Sequence, residues 1–262
     1  MRVAAALAML LLAAPLAAEA EGSRVPEGYV AMRGGDFTTA LRYEDRPGRS
    51  RIAPFALMQR PVTNAQFRRF VQAHPHWRRD RVPRALAEAR YLSHWEGPLQ
   101  PGDAAQDARP VTWVSWFAAD AYCQAQGARL PTWGEWEYAA AADETRADAR
   151  GDRAFRERIL AWYARPSDTP LPRAGLQAPN VHGVQDLHGL VWEWTEDFSS
   201  LLVSADNRQQ GDAGRMEFCG AGALSMDDRE NYAVLMRVAM LSSLGAADAT
   251  ANLGFRCARD LP

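Results

Sequence analysis

Three groups of side chains in this sequence are of a type that does chemistry. Asp227, Asp228 and Glu230, with Arg229 among them, form an acid-rich run whose oxygens suit a hard cation. A solvated loop is the competing reading. Five histidines, His74, His76, His94, His182 and His188, form no H-x-x-x-H pattern, and there is no Cys-x-x-Cys, so neither common zinc signature is present. His182 and His188 flank one turn and are able to approach each other; ordinary hydrogen-bonded histidines are the alternative. Of Cys123, Cys219 and Cys257, two can pair in an oxidising compartment, and spacing does not choose the pair. Cys219 precedes Gly220-Ala221-Gly222, a tight turn in which a thiol is either activated or simply buried.

Other chemistries are absent. All 30 basic residues are arginine, so no lysine can form a Schiff base or act as a general base. No Gly-x-Ser-x-Gly elbow, phosphate-binding loop or dinucleotide fingerprint occurs. The net charge of −2 and the mixed signs argue against nucleic acid, which calls for a basic stripe.

The elements that position these groups centre on the stretch from Gly183 to Phe198. Its residues Leu190 to Thr195 alternate as a strand does, with Leu190, Trp192 and Trp194 on one face and Val191, Glu193 and Thr195 on the other. Two indoles at this spacing are most simply core. Glu193 between them is a solvated residue, an arginine partner or a buried acid.

The chain starts with Arg2, an apolar run from Val3 to Ala17 and Ala18-Glu19-Ala20, which reads as a signal peptide over residues 1–20. A soluble exported protein beginning near Glu21 is expected, periplasmic in a bacterium, with no membrane span after cleavage. Residues 21–262 show no repeat, linker or composition break and read as one domain.

Further elements are legible. A strand is expected over Tyr29–Phe37, turning at Gly34-Gly35, and another over Ile52–Gln59. Thr63 and Gln66 form a capping box for a helix, and Thr132 and Glu135 form a second for a helix over Trp133–Ala142. Ser115 caps a third helix that stops at Gly127. Val111–Val114 is expected as a strand, Trp77–Asp107 as a surface excursion, and the charged block Asp143–Glu157 as a solvated insertion or helix.

Five blocks, P-V-T-N-A-Q-F-R-R-F at 61–70, P-V-T-W-V-S-W-F-A-A-D-A-Y-C at 110–123, G-A-R-L-P-T-W-G-E-W-E-Y-A-A at 127–140, G-L-V-W-E-W at 189–194 and N-L-G-F-R-C-A at 252–258, together resemble the formylglycine-generating enzyme (sulfatase-modifying factor) family. The resemblance implies that family's α+β fold, a C-type-lectin-like variant with little regular structure. It also implies a Cys123–Cys257 disulfide, which leaves Cys219 over.

The family's copper-binding cysteine pair falls, without gaps, at Asp228 and Ala233, and a further cysteine at Val238. A copper-thiolate site is therefore not expected. Ser225 is the best-placed hydroxyl for the family's Gly-Gly-Ser turn, while Leu190 replaces an asparagine that helps bind calcium. Arg237 and Asn252 are retained beside the family's groove, and Ser225, Asp228, Arg237, Asn252 and Glu193 are its candidate lining.

Relatives without the cysteine pair imply two functions, beside a third reading as a true formylglycine-generating oxidase, which needs two thiols. One is an exported accessory or regulatory protein that binds a protein or peptide partner. The other is a non-haem iron oxidoreductase of the siderophore-tailoring type, with His182, His188, Asp227, Asp228 and Glu230 as an oxygen and nitrogen ligand set. Calcium or iron are the cofactors these readings admit.

Overall fold

The computed structural model describes residues 25–43, 46–166, 169–201 and 232–261. Residues 1–20, Cys219, Ser225, Asp227, Asp228 and Glu230 lie outside them.

The chain opens on β1 (Tyr29–Met32) and β2 (Gly35–Tyr43), parted by Gly34. Gly34 sits at φ +65°, and a Cβ there would lie 2.2 Å from the Ile52 carbonyl oxygen, so only glycine fits this turn. β3 (Arg46–Ile52) pairs with β2 in an antiparallel ribbon, with Phe37 opposite Ser50. β4 (Phe55–Met58) is buried at every residue and pairs with β1, Tyr29 opposite Met58. The strand β7 (Ala258–Asp260) closes this sheet on the other side of β4, so the first and last described strands share one sheet.

Helix α1 (Asn64–Ala73) follows, and both halves of its capping box form: the Thr63 hydroxyl accepts from the Gln66 N–H and the Gln66 side chain accepts from the Thr63 N–H at 2.8 Å. The helix buries Phe67, Phe70 and Val71. Thr63→Ala removes the cap and is expected to lower stability by about 1 kcal/mol, read as a shift in the denaturant midpoint.

A short α2 (Ala104–Asp107), α3 (Trp116–Gln124, capped by Ser115) and α4 (Trp133–Ala140, with its Thr132–Glu135 box formed) come next. α5 (Arg153–Tyr163), the two-residue β5 (Trp192–Glu193), α6 (Tyr232–Ser242) and β6 (Leu253–Gly254) complete the described strands and α-helices. Cys123 on α3 and Cys257 before β7 form a buried disulfide, S–S 2.03 Å.

Three expectations change. Val111–Val114 is no strand: Trp113 has φ +54°, and the backbone bonds of this segment go singly to Val62, Thr250 and Leu92 rather than to one neighbour. Trp77–Asp107 is not a mere surface excursion, because Trp77, Tyr91, Leu92 and Trp95 enter the core. The Asn64 side chain, itself buried, anchors it by accepting from Trp95 Nε1 at 2.9 Å and donating to the Gln106 carbonyl at 2.9 Å. The Leu190–Thr195 strand shrinks to Trp192–Glu193, parallel to Leu253–Gly254. Neither face of it is solvated: Leu190, Val191, Glu193, Trp194 and Thr195 are all buried, and only Trp192 is half-exposed.

Candidate functional site

The short parallel pairing of β5 and β6 fixes the site. Trp192 N–H donates to the Asn252 carbonyl at 2.7 Å and Trp194 N–H to the Gly254 carbonyl at 3.0 Å. The backbone of β6 must pass close to Val111, for a Cβ on Gly254 would lie 2.6 Å from that carbonyl oxygen.

Glu193 points inward. Its carboxylate accepts from Arg256 Nε and Nη2 at 2.9 and 2.8 Å and from Trp136 Nε1 at 2.9 Å, and the ion pair is fully buried on both sides. Arg256 spends its other donors on the carbonyls of Met58 and Gln59, both at 3.1 Å, and Gln185, at 2.9 Å. All five N–H groups of the guanidinium are thereby used. This pair therefore clamps β5, the 185 loop and the start of the sheet together, and Glu193 has no face toward a ligand.

Arg237, on α6, is a second buried cation with a different character. It is 2% exposed, its guanidinium carbon lies 3.6 Å from the Trp136 ring centre, and its Nη2 donates to the Glu193 carbonyl oxygen. Its Nε is buried with no hydrogen-bond partner among the described residues. Burial pulls the Arg237 guanidinium down to about 10, with the nearby Glu193 carboxylate acting the other way. Beside it Trp192 stacks on Tyr163 at 4.9 Å and 9°, and Trp162 leans on Trp192 at 5.4 Å. Burial pushes the Tyr163 hydroxyl up to about 12, so it stays protonated. Trp162, Tyr163 and Trp192 are each half-exposed, and they form an aromatic floor with a buried cation at its edge.

Next to that floor a cleft of about 410 Å³ runs between α5 and the loop around residues 177–189. His188 lines it with its ring edge-on to Trp136 at 5.6 Å and Phe155 at 5.8 Å. Its Nε2 sits 2.9 Å from the Ala140 carbonyl oxygen, which can only accept, so Nε2 carries the hydrogen and Nδ1 the lone pair. His182 is held elsewhere, stacked on Tyr138 at 5.5 Å with its Nε2 buried and without a partner among the described residues. Among the described residues no three His, Cys, Asp or Glu side chains cluster as metal ligands do.

Burial holds two imidazoles well below their usual 6.5: His188 and His94 both fall to about 4. The unfolded chain then takes up these protons before the folded one does. Stability is expected to be greatest above pH 6.5, to fall as the pH drops from 6.5 to 4, and to stop falling on their account below 4. Denaturant midpoints at pH 7 and pH 5 test this, and His94→Gln should shallow the slope.

Sequence reading reached Glu193, Arg237 and Asn252, and the structure gathers these three around β5. It missed Trp136, Tyr163 and Arg256 as parts of the same site. The signal for Tyr163 was the A-W-Y ending of a charged helix, and for Arg256 the arginine inside F-R-C, the one cation next to a buried cysteine.

This fold is that of the formylglycine-generating-enzyme class, and the chain belongs to the sulfatase-modifying factor enzyme 1-like family, whose profile matches residues 14–261. It is 30% identical over 287 aligned positions to the formylglycine-generating enzyme of Streptomyces coelicolor, covering 90% of each chain. It is 29% identical over 271 positions to the inactive C-alpha-formylglycine-generating enzyme 2 of Mus musculus, covering 87% of this chain and 84% of that one. Among solved structures, PvdO from Pseudomonas aeruginosa covers 89% of this chain and 94% of its own at 19% identity, with a TM-score of 0.49. Active and inactive relatives match to the same degree, so membership fixes the fold and leaves activity to the site.

Proposed function

We propose that this protein is an exported accessory protein that binds a protein or peptide partner across the Trp192–Tyr163 floor and does not generate formylglycine. The observation that carries the reading is Arg237: a buried cation whose Nε–H no described residue accepts, beside a half-exposed aromatic floor, suits a ligand that brings a carboxylate or carbonyl oxygen. A copper bis-thiolate does not suit the cysteines, because Cys123 and Cys257 are joined and one thiol is left. The ungapped positions of the copper pair hold Asp228 and Ala233.

Two measurements test this. With copper, oxygen and a cysteine-containing substrate peptide of the formylglycine-generating enzymes, no aldehyde is expected. On a synthetic peptide array a subset should bind saturably, and Arg237→Gln, checked for folding by its melting midpoint, should weaken that binding at least about tenfold, the worth of a charge-assisted hydrogen bond. Aldehyde formation would overturn the non-catalytic part. Unchanged binding by a folded Arg237→Gln variant, or a blank array, would overturn the site. Stoichiometric iron in protein purified without chelators would replace this reading with the oxidoreductase one.

A further inference from the structure

The ribbon of β2 and β3 has two edges, and the structure treats them differently. On the β2 edge the Ala40 N–H donates to Glu137 Oε1 at 2.6 Å, the Thr38 carbonyl accepts from Arg150 Nη1 at 2.7 Å, and the Thr39 hydroxyl donates to Glu137 Oε2. Arg150 and Glu137 are themselves paired at 3.3 Å, and Arg150 lies over the Phe37 ring at 4.6 Å. That edge is closed.

The outer edge of β3 is open. Thr38 faces Arg49 and Asp36 faces Arg51 in the register. Because the Thr38 carbonyl points away from the ribbon, Thr38–Arg49 and Asp36–Arg51 are the non-hydrogen-bonded pairs of the ladder. The backbone N–H and C=O of Arg49 and Arg51 therefore point outward, and no described residue bonds to them. Pro47, with no N–H, ends the open stretch.

This edge looks into a cleft of about 380 Å³ between the ribbon and the start of α4, with Arg49, Arg51, Thr132, Trp133 and Leu201 in its lining. Its one acid, Asp197, is engaged, accepting from the Trp133 N–H at 2.8 Å. Both arginine side chains are exposed on the ribbon's outer face; Arg51 faces Asp36 only loosely at 3.5 Å, and Arg49 has no ion-pair partner among the described residues.

We infer that the outer edge of β3 is a docking site for an acidic extended peptide, which adds as a third strand to the ribbon and sets its acids against Arg49 and Arg51. Two outward residues offer about four backbone hydrogen bonds, and the alternation of a strand places every second side chain of the guest on the arginine face. The charge decides the occupant. A second copy of this chain, edge to edge, would set arginine against arginine, and like charges directly opposite destabilise a strand pair. The site is built from residues other than the Trp192–Tyr163 floor, so it stands or falls apart from the proposed function.

The probe is a capped synthetic peptide alternating Glu and Val, titrated into the full chain by fluorescence anisotropy, with its Lys-for-Glu counterpart as control. The acidic peptide should bind and the basic one should not. N-methylation of one alternate set of peptide amides should weaken binding at least tenfold and methylation of the other set should not, since only one set faces β3. Arg49→Glu with Arg51→Glu should weaken it to a similar degree, while Arg237→Gln should leave it unchanged. Absence of binding, equal tolerance of both methylated sets, or indifference to the double charge reversal would overturn the inference, as would a dimer that this reversal dissociates.

Discussion

Arg256→Met is expected to lower the unfolding free energy by about 3–5 kcal/mol, the usual consequence of stranding one member of a buried ion pair. The geometry puts this site at the upper end of that range. Glu193 would keep a bond from Trp136 but lose both bonds from Arg256, the Met58 and Gln185 carbonyls would lose the donor Arg256 supplies, and the Gln59 carbonyl would keep only the Gln185 N–H. Glu193→Gln leaves the opposite problem, two buried guanidinium groups, Arg256 and Arg237, with the carboxylate gone. Each single change should therefore shift the denaturant midpoint strongly at unchanged m-value. The double variant Glu193→Gln, Arg256→Met should recover part of the loss but not all of it, because the Met58 and Gln185 carbonyls stay without the donor Arg256 supplied. If Arg256→Met unfolds with a midpoint within error of the parent, the pair is not the clamp its contacts suggest.

How far the sequence announced this site depended on whether the signal was local. The two capping boxes are written in four residues each, Thr63 to Gln66 and Thr132 to Glu135, and both form as read. The α+β family fold was legible because five blocks in order carry it. The partner of Glu193 was not, because it lies 63 positions away, and the one local mark of Arg256, its place beside Cys257, does not say which acid it pairs with. The reading of Leu190–Thr195 left Glu193 open between a solvated residue, an arginine partner and a buried acid, because alternation does not say whether the second face meets water, and here a parallel neighbour and the surrounding loops bury both. Val111–Val114 has the apolar content of a strand, yet its hydrogen bonds are divided among three separate segments. Trp77–Asp107 has the arginine, proline and glycine of a surface loop but spaces Trp77, Tyr91, Leu92 and Trp95 so that each reaches the core.

Removing the Cys123–Cys257 bridge is the other change with a large expected effect. The bond closes a loop over 134 positions, and the chain-entropy relation for a loop of that length gives about 5 kcal/mol at 25 °C. Cys123→Ala with Cys257→Ala is the cleaner test than serine, since both positions are fully buried and a hydroxyl there would need a partner. The double variant should melt well below the parent under oxidising conditions. With the parent reduced by a thiol, the two proteins should converge, because what remains in each is the same unbridged chain. A variant that matches the oxidised parent would show that the bridge contributes little. The effect should also be coupled to the ion pair, because Cys257 adjoins Arg256 in the chain and holds that segment against α3. Measured in a cycle with Arg256→Met, the two losses should sum to more than the combined variant shows. Once either tie is cut, the C-terminal segment no longer holds its place on β4, and the other tie has less order left to protect.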